Sequence, residues 1–422
     1  MNLNTMCNKL KSLSLVGLGA LIISLGLTNQ ACSARDTAEP ETTACAAAAV
    51  EIDPFKEIII VDEDVLADAR SKNAAAGQWS FRYVMENMAA SWVDPQQFVQ
   101  KWLDGWETVP VFNTFPLNRP NEHPRQAVMR EKVLCPWYKR TPANACNNDC
   151  SSCAANTLDL AQSPFRLLAI ANRLDLREHV ALRQSGEARL VFGLTEGAAD
   201  DPASVPLPMT VIFEFALPQT RTTAEWATAW HQLGAFPAQD EPYRAALASL
   251  TDSFVKRGSR VDGVNESALG QVRTNESYLN WIWQQREFGI NKDGLLTMHA
   301  TRNTPGESLN ASSDLSTWVN ANKDAIMKDR YELPASMLGA SSNALSYTWT
   351  LPGVDLATRN AFARGTCNGC HTTEHPSVDT AFHVSPYRKG RAKLSPFMYD
   401  PTAASDDVRA RTASMRRALC EN

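Results

Sequence analysis

Cys367-Asn368-Gly369-Cys370-His371 is the segment of this chain with the most explicit chemistry. C-x-x-C-H is the attachment signature of c-type haem: two thiols add across the haem vinyl groups, and the adjacent imidazole takes an axial position on the iron. Two intervening residues let both sulfurs face one porphyrin edge, with the His beneath the ring. The same residue types also serve a redox dithiol, a disulfide or a zinc site. Cys367, Cys370 and His383 have the spacing C-x2-C-x12-H, which matches part of a zinc site, with His371 or His375 as a further ligand.

A haem on Cys367 and Cys370 takes His371 as its axial ligand and leaves the sixth position open. His383 and Met398 are the leading candidates for it, ahead of His375 and Met415; His231 or His299 from the preceding chain is also available. Bis-His ligation lowers the potential and His/Met ligation raises it. An empty sixth position leaves iron free for a substrate. Arg388, Lys389, Arg391 and Lys393 form a basic run, and Arg388 and Arg391 are candidate partners for haem propionates. The alternative for that run is a solvated basic loop. Only about fifty residues follow His371, so the rest of the chain must roof a bound haem.

Eight further cysteines complete the set. Cys135, Cys146, Cys150 and Cys153 crowd a Pro-, Asn- and Ser-rich stretch that reads as an irregular loop stapled by two disulfides. A four-thiolate zinc or iron–sulfur site is the alternative. Cys45 and Cys420 are candidates for a bond that ties down the terminus. Disulfides require an oxidising compartment, and the N-terminus supplies a route to one. Lys9 and Lys11 precede an uncharged apolar run from Leu13 to Leu27, which reads as a signal peptide over residues 1–31. Cys32 after Ala31 resembles a lipidation site, with ordinary cleavage near Ala31 or Ala34 as the alternative. The expectation is an exported protein, in the periplasm or anchored to the outer membrane through an N-terminal lipid.

The elements that position these residues are legible in part. Residues 32–54 read as a disordered linker rich in Ala, Thr and Glu. A body spans 55–354, and a C-terminal C-x-x-C-H segment spans 355–422. Strands are expected at Ile58–Val61, Ala188–Leu194 and Met209–Leu217, the last with one polar interruption, Glu214. Helices are expected at Trp79–Met88, Pro95–Trp106, Thr223–Leu233, Glu241–Phe254, Asn275–Phe288, Leu315–Lys328, Asp355–Arg364 and Asp406–Leu419. Phe98, Trp102 and Trp106 recur every four residues as an apolar stripe. The pattern implies an α+β fold: a large mixed body with a small, mainly helical, haem-c-like segment packed on it.

Other chemistry is sparse. There is no G-x-S-x-G elbow, H-E-x-x-H pair or Gly-rich phosphate loop. Seven His residues leave few bases for hydrolysis, and a net charge of −5 argues against nucleic-acid binding. Arg173, Asp175, Glu187, Arg189, Glu214, Arg273, Asn275, Glu276, Arg286 and Glu287 interrupt apolar runs. They read either as structural ion pairs or as groups that converge on the metal to orient a substrate.

The segments FRLLAIANRLDLRE, GEARLVFGL, MTVIFEFALP, WATAWHQLG, LGQVRTNE, QREFGI, NTP and TCNGCHTTE, followed by AFHVSPYRKGRAKLSPFM, resemble a group of uncharacterised exported bacterial proteins described as lipoproteins or as cytochrome c-like. They cover most of residues 56–420 in order. The resemblance implies that body and C-x-x-C-H segment form one unit, and it implies no substrate.

The expected function is that of an exported haem-c protein which transfers electrons to a redox partner protein. One alternative is a haem-dependent oxidoreductase acting on a small molecule held by the body. The other is a zinc- and disulfide-stabilised binding protein without haem.

Overall fold

Alternating apolar residues on successive segments pair into one antiparallel sheet. In the computed structural model the described residues are 50–106, 111–112, 115–116, 126–141, 150, 153, 158–177, 185–279, 283–339, 342–343, 348–371, 382–403 and 406–420. They belong to one compact unit. The strands are β1 (Ile59–Ile60), β2 (Val111–Phe112), β3 (Phe115–Pro116), β4 (Phe165–Arg173), β5 (Glu187–Thr195), β6 (Pro206–Ala216), β7 (Leu269–Glu276), β8 (Gln284–Ile290), β9 (Leu296–His299) and β10 (Ser342–Asn343). Sheet order is β1-β4-β5-β6-β7-β8-β10, and β9 also pairs with β8. β2 and β3 form a separate hairpin. The fold is α+β.

The two faces of the sheet differ in kind. Ile60, Ile170, Leu190, Phe192, Phe213, Val272 and Phe288 point to one side and enter the main core. Helices α1 (Phe81–Met88) and α2 (Pro95–Asp104) contribute to that core. Ser80 caps α1 by accepting from the Tyr83 amide. Asp94 caps α2, with Pro95 at its first position, where no amide hydrogen is needed. Phe81, Trp102 and Trp137 surround Phe165, and Trp106 lies 4.8 Å from Phe288. The tryptophans thus build the core rather than a cleft, and their large apolar area is the main stabilising payload of this layer. Helices α3 (Thr223–His231) and α4 (Glu241–Val255) extend it through Trp226, Trp230 and Phe254.

The opposite face carries the charged residues. Glu187, Arg189, Glu214, Arg273 and Glu287 alternate with apolar residues on β5 to β8, with Arg189 opposite Glu214 and Arg273 opposite Glu287. Here the helix expected over 275–288 is overturned: residues 275–276 end β7, residues 284–288 belong to β8, and the described residues between them are turn or irregular. Arg273, Asn275, Glu276, Arg286 and Glu287 therefore lie on two strands, not one helix. Their period of two was masked because polar side chains occupy both faces. Glu276 and Arg286 are buried beside Trp106, while Arg273 and Glu287 pair on the other side.

Other boundaries also shift. Ile52 is buried and Arg416 Nε donates to the Val50 carbonyl, so residues 50–54 are packed rather than linker. The expected irregular loop begins with a helix, Cys135–Arg140, which accommodates Pro136 in its first turn. The helix expected over 315–328 is two: α5 (Ser313–Ala321) and a short turn Lys323–Met327, separated at Asn322, whose side chain bonds the Trp318 carbonyl. Helix α6 (Leu356–Arg364) packs Phe362 with Leu315, Val319, Tyr331 and Trp349 in a satellite core. That core crosses the boundary expected at 354/355. The last helices are α7 (Cys367–His371) and α8 (Asp407–Ala418), and Met415 of α8 enters the main core. No helix of the described residues is long and apolar enough to cross a membrane.

Cys135 and Cys150 are disulfide-bonded, with Cα atoms 5.6 Å apart, which removes two thiols from a four-thiolate site. Cys153 and Cys420 are also disulfide-bonded. The signal segment, Cys32, Cys45, Cys146 and His375 lie outside the described residues.

Candidate metal centre

Helix α7 is set by two close approaches. Thr366 Oγ1 accepts from the Gly369 amide and from Trp349 Nε1. A Cβ at Gly369 would lie 1.8 Å from the Ala363 carbonyl oxygen, so the residue before Cys370 must be Gly for α7 to fold back on α6. Cys367 is buried; its sulfur accepts from Thr304 Oγ1 at 3.1 Å, and its amide donates to the same oxygen at 3.1 Å. Both cysteines are free thiols. Burial pushes the Cys367 thiol up to about 11 and the Cys370 thiol up to about 12. Neither is an ionised nucleophile near neutral pH unless a metal or another cation is bound to it.

His383 is brought to α7 by a tight loop. Val384 and Leu394 form an antiparallel bridge, and the Ser385 amide donates to the Lys393 carbonyl. Closing this loop sets His383 beside Ser395, with Nδ1 3.0 Å from Ser395 Oγ. When Nδ1–H donates to that oxygen, Nε2 is left with its lone pair toward Cys370 Sγ, 3.2 Å away. The His371 ring stacks on Trp283 at 4.6 Å and meets the His383 ring at 4.2 Å. Phe397 backs His383 at 4.7 Å.

One ligand atom from each of Cys370, His371 and His383 lies within 4.8 Å of the other two. Tetrahedral zinc, with bonds of about 2.3 Å to sulfur and about 2.0 Å to nitrogen, spaces its donors roughly 3.4–3.6 Å apart. The three groups lie close enough to serve one ion, with Cys370 Sγ and His383 Nε2 3.2 Å apart. They do not fit a porphyrin between the two imidazoles: axial nitrogens on opposite sides of one metal separate the ring centres by roughly 6 Å, given metal–nitrogen bonds of about 2 Å. For His383 to face His371 across a haem, the ring would have to retreat.

A cavity of about 300 Å³ opens beside the centre. Cys367, Cys370, His371, His383 and Met398 all line it, and the charged sheet face forms its floor. Glu214 is the hub of that floor. Burial pushes its carboxyl up, but Arg189 at 3.1 Å and Arg273 at 3.6 Å, with Gln271 as hydrogen-bond donor, bring it below the ordinary carboxylate range. Arg173 pairs with Asp175 at 2.9 Å, and Arg411 with Asp407.

No family model, curated protein or solved structure matches this chain. Its chemistry must therefore be read from the geometry.

The residues singled out from the sequence divide accordingly. Cys367, Cys370, His371, His383 and Met398 converge, joined by Arg173, Glu187, Arg189, Glu214, Arg273 and Asn275. Glu276 and Arg286 form a 2.7 Å pair in the opposite core layer. Arg388 and Arg391 do not line the cavity. Arg391 lies 4.0 Å over the Phe55 ring, while Lys393 and the Gly390 amide bind Glu63, so the run from 388 to 393 docks the loop. Met415 receives a contact from Asn172 in the core, and His231 is bonded to Glu57 at 2.7 Å. Sequence reading missed Thr304, Ser395, Trp283, Arg302 and Gln285. None has a local motif; only Ser395, twelve residues after His383, is near enough in sequence to suggest a partner.

Proposed function

We propose that Cys370, His371 and His383 hold one metal ion of the zinc or non-haem iron class, open on one side to the cavity. The observation that carries this reading is the convergence of one thiol and two imidazoles, from α7 and from the loop after residue 382, within 4.8 Å. Three protein ligands with a free fourth position are the pattern of catalytic rather than structural zinc. The bound ion would supply Lewis acidity and a water of lowered pKa. The chain's own residues do the rest. Ser395 holds the His383 tautomer, Trp283 buttresses His371, and the sheet face fixes whatever small molecule enters. Cys367, held by Thr304, stands beside the centre as a second thiol. The survival of two free thiols in a chain whose other described cysteines are disulfide-bonded supports occupancy by a ligand. Export by the N-terminal signal, with lipid attachment at Cys32, belongs to the same reading.

Covalent haem c is the second reading. It is favoured by one observation: both thiols, His371 and Met398 line the same cavity. The protein would then pass electrons to a redox partner, or oxidise a small molecule at an open iron position.

Mature protein purified from export-competent, haem-attaching cells separates these readings. The ion reading expects about one equivalent of metal, no Soret band and an unmodified mass. A Soret band with a covalent mass gain that survives denaturation replaces the ion reading with haem.

A further inference from the structure

Most guanidiniums around the cavity are matched. Arg173 has Asp175, Arg189 has Glu187 and Glu214, Arg273 has Glu287, and Arg411 has Asp407. Arg302 and Arg364 also line the cavity, and among the described residues neither guanidinium has a hydrogen-bond or ion-pair partner. Asp329, exposed on the rim, is the one lining carboxylate without such a partner among the described residues. Arg302 acts on Glu214 only at a longer range than an ion pair, and Arg364 is exposed, so these two lining guanidiniums are the ones placed to take a carboxylate from outside.

The floor adds a second demand. Asn275 and Gln285 are opposite each other on β7 and β8, each only 4% exposed, and both line the cavity. Among the described residues the Gln285 side chain has no hydrogen-bond partner. Asn275 donates to Thr210 Oγ1 at 3.3 Å while its Oδ1 has no partner. Turning that amide would exchange the roles of its two ends and still leave one unpaired. Buried amides are normally hydrogen-bonded. Two adjacent ones, each with unused capacity, suit a group that both donates and accepts, which is the property of a hydroxyl.

We infer that this cavity binds a small hydroxy acid, its carboxylate on Arg302 with Arg364 and its hydroxyl on Asn275 and Gln285. A volume of about 300 Å³ admits a ligand of a few carbons. The inference uses cavity side chains alone and goes beyond the identity of the metal.

The test is calorimetric titration of zinc-loaded mature protein with L-lactate, L-malate and D-gluconate, against propionate and glycerol as probes lacking one group each. At least one hydroxy acid binds, at least tenfold more tightly than propionate, and glycerol does not bind. R302Q weakens that binding at least tenfold, R302K less, and Q285L removes the preference over propionate. K292Q, at an exposed position away from the cavity, leaves it unchanged. Zinc content and thermal unfolding of each variant are measured on the same sample, so loss of ion or fold is seen separately. Absence of binding by all three acids to zinc-loaded wild type overturns the inference while leaving the ion in place. So does an R302Q protein of normal zinc content and unaltered affinity. A haem-bearing protein that binds none of them overturns both readings.

Discussion

Cys370 Sγ and His383 Nε2 lie 3.2 Å apart although the two residues are thirteen positions apart in the chain. In the proposed metal centre this pair adds His383 to the two donors of the C-x-x-C-H segment. H383A is expected to lower zinc affinity by at least about 100-fold, read by chelator competition, because two donors remain of three. Unchanged affinity would remove His383 from the centre.

In the proposed centre Ser395 would act through His383, whose Nδ1 lies 3.0 Å from its hydroxyl, and is not itself a ligand. S395A is expected to weaken zinc binding roughly 10- to 100-fold, the usual loss when an imidazole partner is removed. S395T, which keeps the hydroxyl, should recover part of it. The proton resonance of His383 Nδ1 should shift in S395A. A resonance that stays in place would assign Ser395 to packing alone.

Removing Arg273 leaves Glu287, fully buried, without its 3.1 Å partner, and takes a second cation from Glu214. R273Q should cost about 3–5 kcal/mol, the loss typical of breaking a buried pair from one side. Urea denaturation measures it. R273Q together with E287Q should recover part of the loss, since the uncompensated charge is then gone; an additive double variant would argue against direct coupling.

Two carboxylates give opposite pH dependence. Glu214 is held below its ordinary value of 4.5, so its stabilising contribution is complete above that value and is lost as pH falls through the lowered folded value. Glu57 is raised above 4.5, chiefly by burial against the opposing pull of His231. Its contribution is most favourable below 4.5 and declines as pH rises through the raised value. E214Q should flatten the acid limb of a stability–pH curve, and E57Q the decline above pH 4.5. Superimposable curves for wild type and variants would rule this assignment out.

The Cys135–Cys150 bond closes a segment of sequence separation 15. Its loss in C150S should cost about 3 kcal/mol if unfolded-chain entropy dominates. Thermal unfolding without reductant checks the value. Retained stability would show that the rest of the fold constrains residues 135–150 equally well.

Local chemistry explains which parts were legible in the sequence. Cys367, Cys370 and His371 are neighbours in the chain, so the segment stood out without the fold, with covalent haem as the first reading and zinc as an alternative. Apolar alternation disclosed β5 and β6, and Asp94-Pro95 marked the start of α2, because caps and strand periods are short-range. β7 and β8 escaped for a physical reason: Asn275, Gln285 and Glu287 are polar yet buried, Arg273 is half-buried, and the partners of Arg273, Asn275 and Glu287 come from adjacent strands. A hydrophobic period cannot register a charge whose burial is balanced by a distant charge. Chain position already ranked His383, with Met398, ahead of Met415, but the physical reason is tertiary. Met415 enters the main core and His231 is taken by Glu57, while the Val384–Leu394 bridge folds His383 back onto Cys370. The residue types in the chain specify a thiol–imidazole chemistry. Only the tertiary fold, by bringing Arg302 and Arg364 to the same cavity as Asn275 and Gln285 of the sheet, decides what that chemistry faces.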